Sequence, residues 1–171
     1  NSYFIETKDQ IVSTPKSTIS WSAQNIAKVH NYGASFNAQL SLFNNSLFTM
    51  FSYTYQQSID KTLNSPSYNK LLPYLPQEII SLMIDYKYNI LSIGTNIYYN
   101  SFRYYSFDNF IKSLLEPYYY IDVNLSILIK ILSNNLSFSL ILNNITNQSY
   151  QIIKNYPMPK RNLRLSLSYK F

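Results

Sequence analysis

The chain has 171 residues, of which 46% are hydrophobic, 17% aromatic and only 13% charged, with 18 Tyr, two Gly, one His and no Cys; such an aromatic-rich, charge-poor composition is typical of strands rather than helices. The lack of cysteine excludes a disulfide framework and a thiolate metal site. The formal net charge of +6 comes from lysines and arginines scattered singly, with Lys160-Arg161 the one adjacent pair, so the basic stripe of a nucleic-acid binder is missing and no nucleic acid is expected as a partner.

No stretch approaches the roughly 18 consecutive apolar residues of a membrane helix, so any crossing of a membrane must be made by strands. The first candidate strand, Tyr3 to Val12, alternates poorly, and a long link is expected near 13–30. From Tyr32 to Leu42 the even positions carry Tyr32, Ala34, Phe36, Ala38, Leu40 and Leu42, against polar or small residues at the odd ones. A period of two places these on one face of a strand. After Asn44-Asn45 come Leu47, Thr49, Phe51, Tyr53 and Tyr55, and then a long link near 57–76. Ile80, Leu82, Ile84, Tyr86 and Tyr88 follow, a turn at Asn89, then Leu91, Ile93, Ile97 and Tyr99, and a long link near 104–117. Tyr119, Ile121, Val123, Leu125, Ile127 and Ile129 form the next apolar face. Beyond a short link at 133–135 stand Leu136, Phe138, Leu140 and Leu142, and a long link near 146–160 leads to Leu163, Leu165, Leu167, Tyr169 and Phe171.

About eight strands joined alternately by short, Asn-bearing turns and long loops describe an antiparallel up-and-down β-barrel of the outer-membrane kind. The strands are long enough, since about ten residues tilted at roughly 45° cross the apolar layer. A soluble barrel or sandwich shows the same alternation with its apolar face turned inward. Two features favour apolar-out: almost uniformly aliphatic or aromatic faces, and opposite faces that carry Asp85, Lys87, Asp122, Lys130, Arg164 and Lys170.

Certain motifs carry more. Asn143-Asn144-Ile145-Thr146-Asn147-Gln148-Ser149-Tyr150, then Asn155-Tyr156-Pro157-Met158-Pro159-Lys160-Arg161, then a strand ending Leu167-Ser168-Tyr169-Lys170-Phe171, resemble the C-terminus of TonB-dependent outer-membrane receptors. Trp21-Ser22, Asn25-Ile26 and Lys28 before Tyr32-Gly33, and Leu72-Pro73-Tyr74 with Pro76, are similar to that family too. Lys160 stands where the family usually has Gly. The resemblance implies that residues 1–171 are the C-terminal portion of a barrel of about 22 strands that encloses a plug, with plug and earlier strands outside this chain, as any export signal would be. It implies active uptake of a bulky scarce nutrient of the siderophore, cobalamin, haem or oligosaccharide class, no enzymatic activity and no cofactor. The implied location is the bacterial outer membrane. The implied partners are outer-membrane lipid, the rest of the barrel and plug, the TonB complex through the missing N-terminal part, and the barrel-assembly machinery. The alternative is a self-contained small barrel serving as anchor or adhesin, against which stand the small lumenal residues Gly33, Ser35, Ser92, Gly94, Ser126, Ser137 and Ser139, suited to a wide, plugged barrel.

The expected ligand-binding residues lie in the long loops at the outer mouth: Tyr68, Tyr74, Arg103, Tyr104, Tyr105 and Tyr156, rigid aromatic surface with one fixed cation. Leu165, Leu167, Tyr169 and Phe171 are expected to form the signal that the assembly machinery captures by strand addition. His30 has no Cys or His partner and is expected at a loop-to-strand junction, not on a metal. The Asn-x-Ser/Thr triplets, Asn144-Ile145-Thr146 among them, are read as chance matches, and Asp85 and Asp122 as lumenal charge pairs rather than catalytic carboxylates.

Overall fold

In the computed structural model residues 1–15, 20–131 and 134–170 are described. Eight long or medium strands make one sheet: β1 (Ser2–Pro15), β2 (Trp21–Leu42), β3 (Leu47–Asp60), β4 (Glu78–Tyr88), β5 (Leu91–Asn100), β8 (Tyr118–Ile131), β9 (Asn134–Asn143) and β12 (Asn162–Lys170). Two small ribbons lie in the loops, β6 (Arg103–Tyr104) with β7 (Leu114–Leu115), and β10 (Gln151–Ile153) with β11 (Tyr156–Pro157). The sheet order is β1-β2-β3-β4-β5-β8-β9-β12, every pairing antiparallel. This is an up-and-down meander, and β1 and β12 are its two opposite edges. A closed eight-stranded barrel would pair them, so the self-contained small barrel is not favoured.

Among the described residues nothing packs on the apolar face. Phe36, Leu40, Leu42, Ile93, Ile127, Phe138, Leu163, Leu165 and Leu167 stand exposed on it, Leu167 at 71%. The buried hydrophobic residues, Ile26, Val29, Leu72, Leu115 and Tyr118, all lie at the long-loop end. A bare apolar face with the core at one end is the pattern expected of a barrel wall whose apolar side meets lipid.

The polar face is the one the long loops fold over. Tyr150 stacks on Tyr118 at 4.5 Å and Tyr120 at 5.5 Å between centroids, and Tyr118 and Tyr120 share Asp122's side of β8. Both glycines face this side. A Cβ on Gly94 would fall 2.4 Å from Asp85 Oδ1 and 2.3 Å from Asn124 Nδ2, and one on Gly33 2.4 Å from the Tyr55 carbonyl oxygen, with the Tyr3 ring lying across it. With so little glycine, left-handed turns fall mainly to asparagine, whose short polar side chain tolerates them. Asn44 and Asn45 (φ 53° and 67°) turn β2 into β3, and Asn89 (54°) turns β4 into β5.

One expectation needs correcting. The segment near 13–30 is not a long loop: β1 continues to Pro15 and β2 begins at Trp21, in one register from Ser2↔Ala34 to Pro15↔Trp21 that skips only the rung of Asp9. Alternation disappears there for a local reason. Asp9 has φ 52° and its rung is unpaired, and just beyond it Ile26 turns to the same buried cluster as Val29. Residues 26 and 29 cannot share a face of a regular strand, so the faces exchange at this rung and the period-two signal is lost while the strand runs on. His30 accordingly lies within β2, not at a junction.

Candidate functional site

Three loops gather at one end of the sheet: residues 61–77, 101–117 and 144–161. The first is organised by Asp60, which is fully buried. Its carboxylate accepts from Thr62 N at 2.7 Å, Ser67 Oγ at 2.6 Å and Ser65 Oγ at 3.0 Å. Burial pushes its pKa up, but the Ser67, Thr62 and Ser65 donors outweigh burial and hold it below the ordinary carboxylate value. Its backbone closes the loop, donating to Lys70 O at 3.0 Å and accepting from Asn69 N at 2.8 Å. Leu72 then drops between Ile26 and Val29, with Val12 and Phe107 alongside.

The second loop grips the first. Asn109, left-handed at φ 52°, presents its amide to the backbone of Leu71, accepting from the N–H at 2.6 Å and donating to the carbonyl at 3.0 Å. Lys70 Nζ donates to Asp108 O at 2.8 Å, and Tyr74 N to Tyr104 O at 2.7 Å. Asp108 fixes the turn that follows by accepting from Ser113 Oγ at 2.7 Å and Phe110 N at 3.0 Å, and these two bonds lower its pKa.

The third loop is built on Asn144, buried at φ 48°. Its N–H donates to Asp122 Oδ1 at 2.7 Å, and its side chain accepts from Gln148 N at 3.0 Å and donates to Gln148 O at 2.9 Å. Arg103 joins this loop to the second. It is 2% exposed, donates to the carbonyls of Gln151, Ile152 (3.3 Å) and Glu116 (3.4 Å), and lies over the Tyr118 ring at 5.0 Å. Lys154 Nζ sits 3.7 Å from the centre of the Tyr105 ring.

The expected residues therefore separate. Tyr68 and Tyr156 are exposed, the former with Lys61 Nζ at 5.9 Å from its ring centre. Tyr74 and Tyr105 are half-buried between loops, Tyr74 in the left-handed region at φ 63°, an unusual conformation for a bulky side chain. Tyr104 packs edge-on against Phe102. Arg103 is enclosed, and its guanidinium is engaged by backbone carbonyls. Leu165, Leu167 and Tyr169 lie exposed on the lipid side of β12; Phe171 lies outside the described residues. Asp60, Asn109, Asn144 and Tyr150 organise the site although none was among its expected residues, Asn144 and Tyr150 having entered only as part of the C-terminal motif. For Asn144 a signal existed, since Asn-Ile-Thr is also an Asx-type anchor, Thr146 Oγ1 donating to Asn144 Oδ1 at 3.1 Å.

Among the described residues the loops leave several recesses, two of which are the larger. One of about 650 Å³ opens between the far end of β2 and the first two loops, lined by Gln24, Ile26, Ser67, Lys70, Phe107 and Asp108. Another, of about 310 Å³, separates Leu115 and Pro117 from Ser149, Tyr150 and Gln151. Neither gathers a nucleophile and base. What the arrangement offers is an aromatic and polar surface above the polar face of the sheet.

Comparison with known proteins adds to this geometry. The family described as TonB dependent receptor-like, β-barrel, matches residues 1–145. The ferric preacinetobactin receptor BauA from Acinetobacter baumannii superposes with a TM-score of 0.80 at 18% identity, over 99% of this chain and 26% of that one. The unliganded ferric citrate transporter FecA gives 0.77 at 18% identity, over 99% and 28%. The ferripyoverdine receptor of the Pseudomonas aeruginosa outer membrane gives 0.71 at 18% identity, over 99% and 24%. This chain thus spans about a quarter of the length of each. A search of curated sequences gave no match.

Proposed function

Because this chain belongs to the TonB-dependent-receptor β-barrel family, whose members are outer-membrane transporters and not enzymes, we propose that it forms the C-terminal portion of the barrel in a receptor that takes up a bulky, scarce nutrient. The carrying observation is the bare apolar face set against a polar face that three interlocked loops overhang. Such a wall separates lipid from an aqueous or plug-filled lumen.

The long loops face the cell exterior and the Asn turns the periplasm. Tyr68 and Tyr156, with Tyr74, Tyr104 and Tyr105 behind them, supply contact surface for cargo, whereas Arg103 fixes the loops and does not meet it. The three solved relatives named above are receptors or transporters for ferric preacinetobactin, ferric citrate and ferripyoverdine, while another is a copper transporter; among siderophore, cobalamin, haem and oligosaccharide the reading favours a ferric chelate. Uptake requires the rest of the barrel, a plug and the TonB complex, and β12 serves as the strand that the assembly machinery captures.

The test is uptake of radioactive iron, supplied as a panel of ferric chelates, by cells with and without the full-length gene. A chelate whose energy-dependent uptake is lost on deletion supports the reading. Cysteines at Tyr68, Tyr156 and Asn45 read the orientation: labelling of intact cells at Asn45 but not in the loops would invert it.

A further inference from the structure

Above the lipid-facing band, β1, β2 and the residue that follows β3 bring three lysines to one level. Lys8 stands opposite Lys28 in the β1–β2 register, and Lys61 N donates to Lys28 O at 2.8 Å, which places Lys61 opposite Lys28 on the other side. Like charges directly opposite each other on a sheet destabilise it unless a counter-charge is present. The chain supplies one: Glu6 Oε2 lies 2.9 Å from Lys28 Nζ and 3.2 Å from His30 Nε2. Among the described residues these are the only side-chain ion pairs within 4 Å, so neither Lys8 nor Lys61 has a carboxylate partner at that distance, and Asp9 beside Lys8 does not provide one. Lys61 Nζ meets the neutral Asn69 Oδ1, at 2.5 Å, and the Tyr68 ring, at 5.9 Å from its centre.

The side of the wall on which this row stands is settled by its neighbours. Glu6, His30 and Phe4 form one cluster with Lys28, Phe4 meeting the His30 ring at 5.2 Å. Phe4 is 63% exposed and belongs to the same bare face as Tyr32, Phe36 and Leu40, whereas Val29, between Lys28 and His30, points the other way and is fully buried. Lys28 is four residues beyond Tyr32, about 13 Å at roughly 3.3 Å per residue. Aromatic side chains such as Phe4 and Tyr32 mark the edge of the apolar layer. The lysines therefore stand at headgroup depth, with their charge only partly met by the protein.

We propose that Lys8, Lys28 and Lys61 form a binding site for the phosphate groups of a phosphorylated lipid of the outer leaflet, the acyl chains running down over Phe4, Tyr32 and Phe36. This rests on the orientation given above. Basic residues at the membrane surface attract anionic headgroups, and here Glu6 competes with the lipid for Lys28.

The experiment uses the full-length receptor purified in detergent, its folded state verified by heat-modifiable mobility, and titrates diphosphoryl lipid A by native mass spectrometry. The combined variant Lys8→Gln, Lys28→Gln, Lys61→Gln is expected to bind at least tenfold more weakly than the unaltered receptor. Glu6→Gln, which releases Lys28, is expected to bind more tightly, a gain that mere loss of packing cannot produce. Millimolar inorganic phosphate is expected not to displace the lipid, which identifies the lipid rather than free phosphate as the ligand. Unchanged affinity in the triple variant, no gain in Glu6→Gln, or displacement by inorganic phosphate overturns the proposal. Lipid binding is measured without cargo and orientation by labelling, so failure here is distinct from failure of the uptake reading.

Discussion

Replacing Arg103 by Met retains most of the apolar stem and removes the guanidinium, which tests whether this residue holds the third loop to the second. Three carbonyl oxygens lose a donor, those of Gln151, Ile152 and Glu116, and the Tyr118 ring loses its cation. The Ile152 and Glu116 contacts are long, so the loss centres on Gln151. One hydrogen bond from a charged donor contributes about 1.5–3 kcal/mol, and a partly buried cation–π contact about 0.5–2 kcal/mol. Against this stands the desolvation of the charge, which also lowers the pKa of Arg103. A net local loss of roughly 2–4 kcal/mol follows, the lower end being favoured. At about 1.4 kcal/mol per tenfold, amides exchanging through local opening should speed up by roughly 30- to 700-fold. Hydrogen-exchange mass spectrometry on the folded receptor would show this over residues 150–157, with β8 and β9 unchanged. Arg103→Lys keeps the charge but not the planar fork and should fall between. Equal exchange in the unaltered and Met proteins would refute the reasoning.

Gly33→Ala should lower the yield of heat-modifiable folded barrel much more than Gly94→Ala, because the new methyl meets the fixed Tyr55 carbonyl in one case and the movable ends of Asp85 and Asn124 in the other; adding Asn124→Ala should relieve Gly94→Ala but leave Gly33→Ala unchanged. Asp60 has a depressed pKa in the folded chain, so its contribution is fully present above its ordinary value of 3.8 and is lost as pH falls through the lower folded value. Protease nicking of residues 61–72 should therefore rise only in strong acid, while Asp60→Asn should be nicked already at pH 7 with a flatter acid dependence. Deleting Phe171 from the full-length receptor should reduce folded barrel in outer-membrane fractions and leave the melting temperature of what does fold unchanged; normal amounts would remove the capture role from β12.

The wall of this protein was legible because its physics is local. A strand with lipid on one side and a polar lumen on the other must alternate side chain by side chain, and Asn44, Asn45 and Asn89 mark turns that need a left-handed backbone. The strands from Tyr32 onward, the turns and the lipid-facing row of β12 follow from that rule, and the C-terminal motifs supply the family. The rule fails outside the lipid layer, where both faces meet water or protein. That is why β1 and β2 extend through a segment that reads as a loop, and why the face exchange at Asp9 and Ile26 leaves no periodic trace. The loop site depended on contacts far apart in sequence: Arg103 with Gln151, Asn109 with Leu71, Tyr150 with Tyr118. An arginine in a loop reads as an exposed cation, and only the fold of two other segments over it makes it a buried tie. The lysine row is of the same kind, since Lys8, Lys28 and Lys61 are ordinary single charges until strand register sets them side by side.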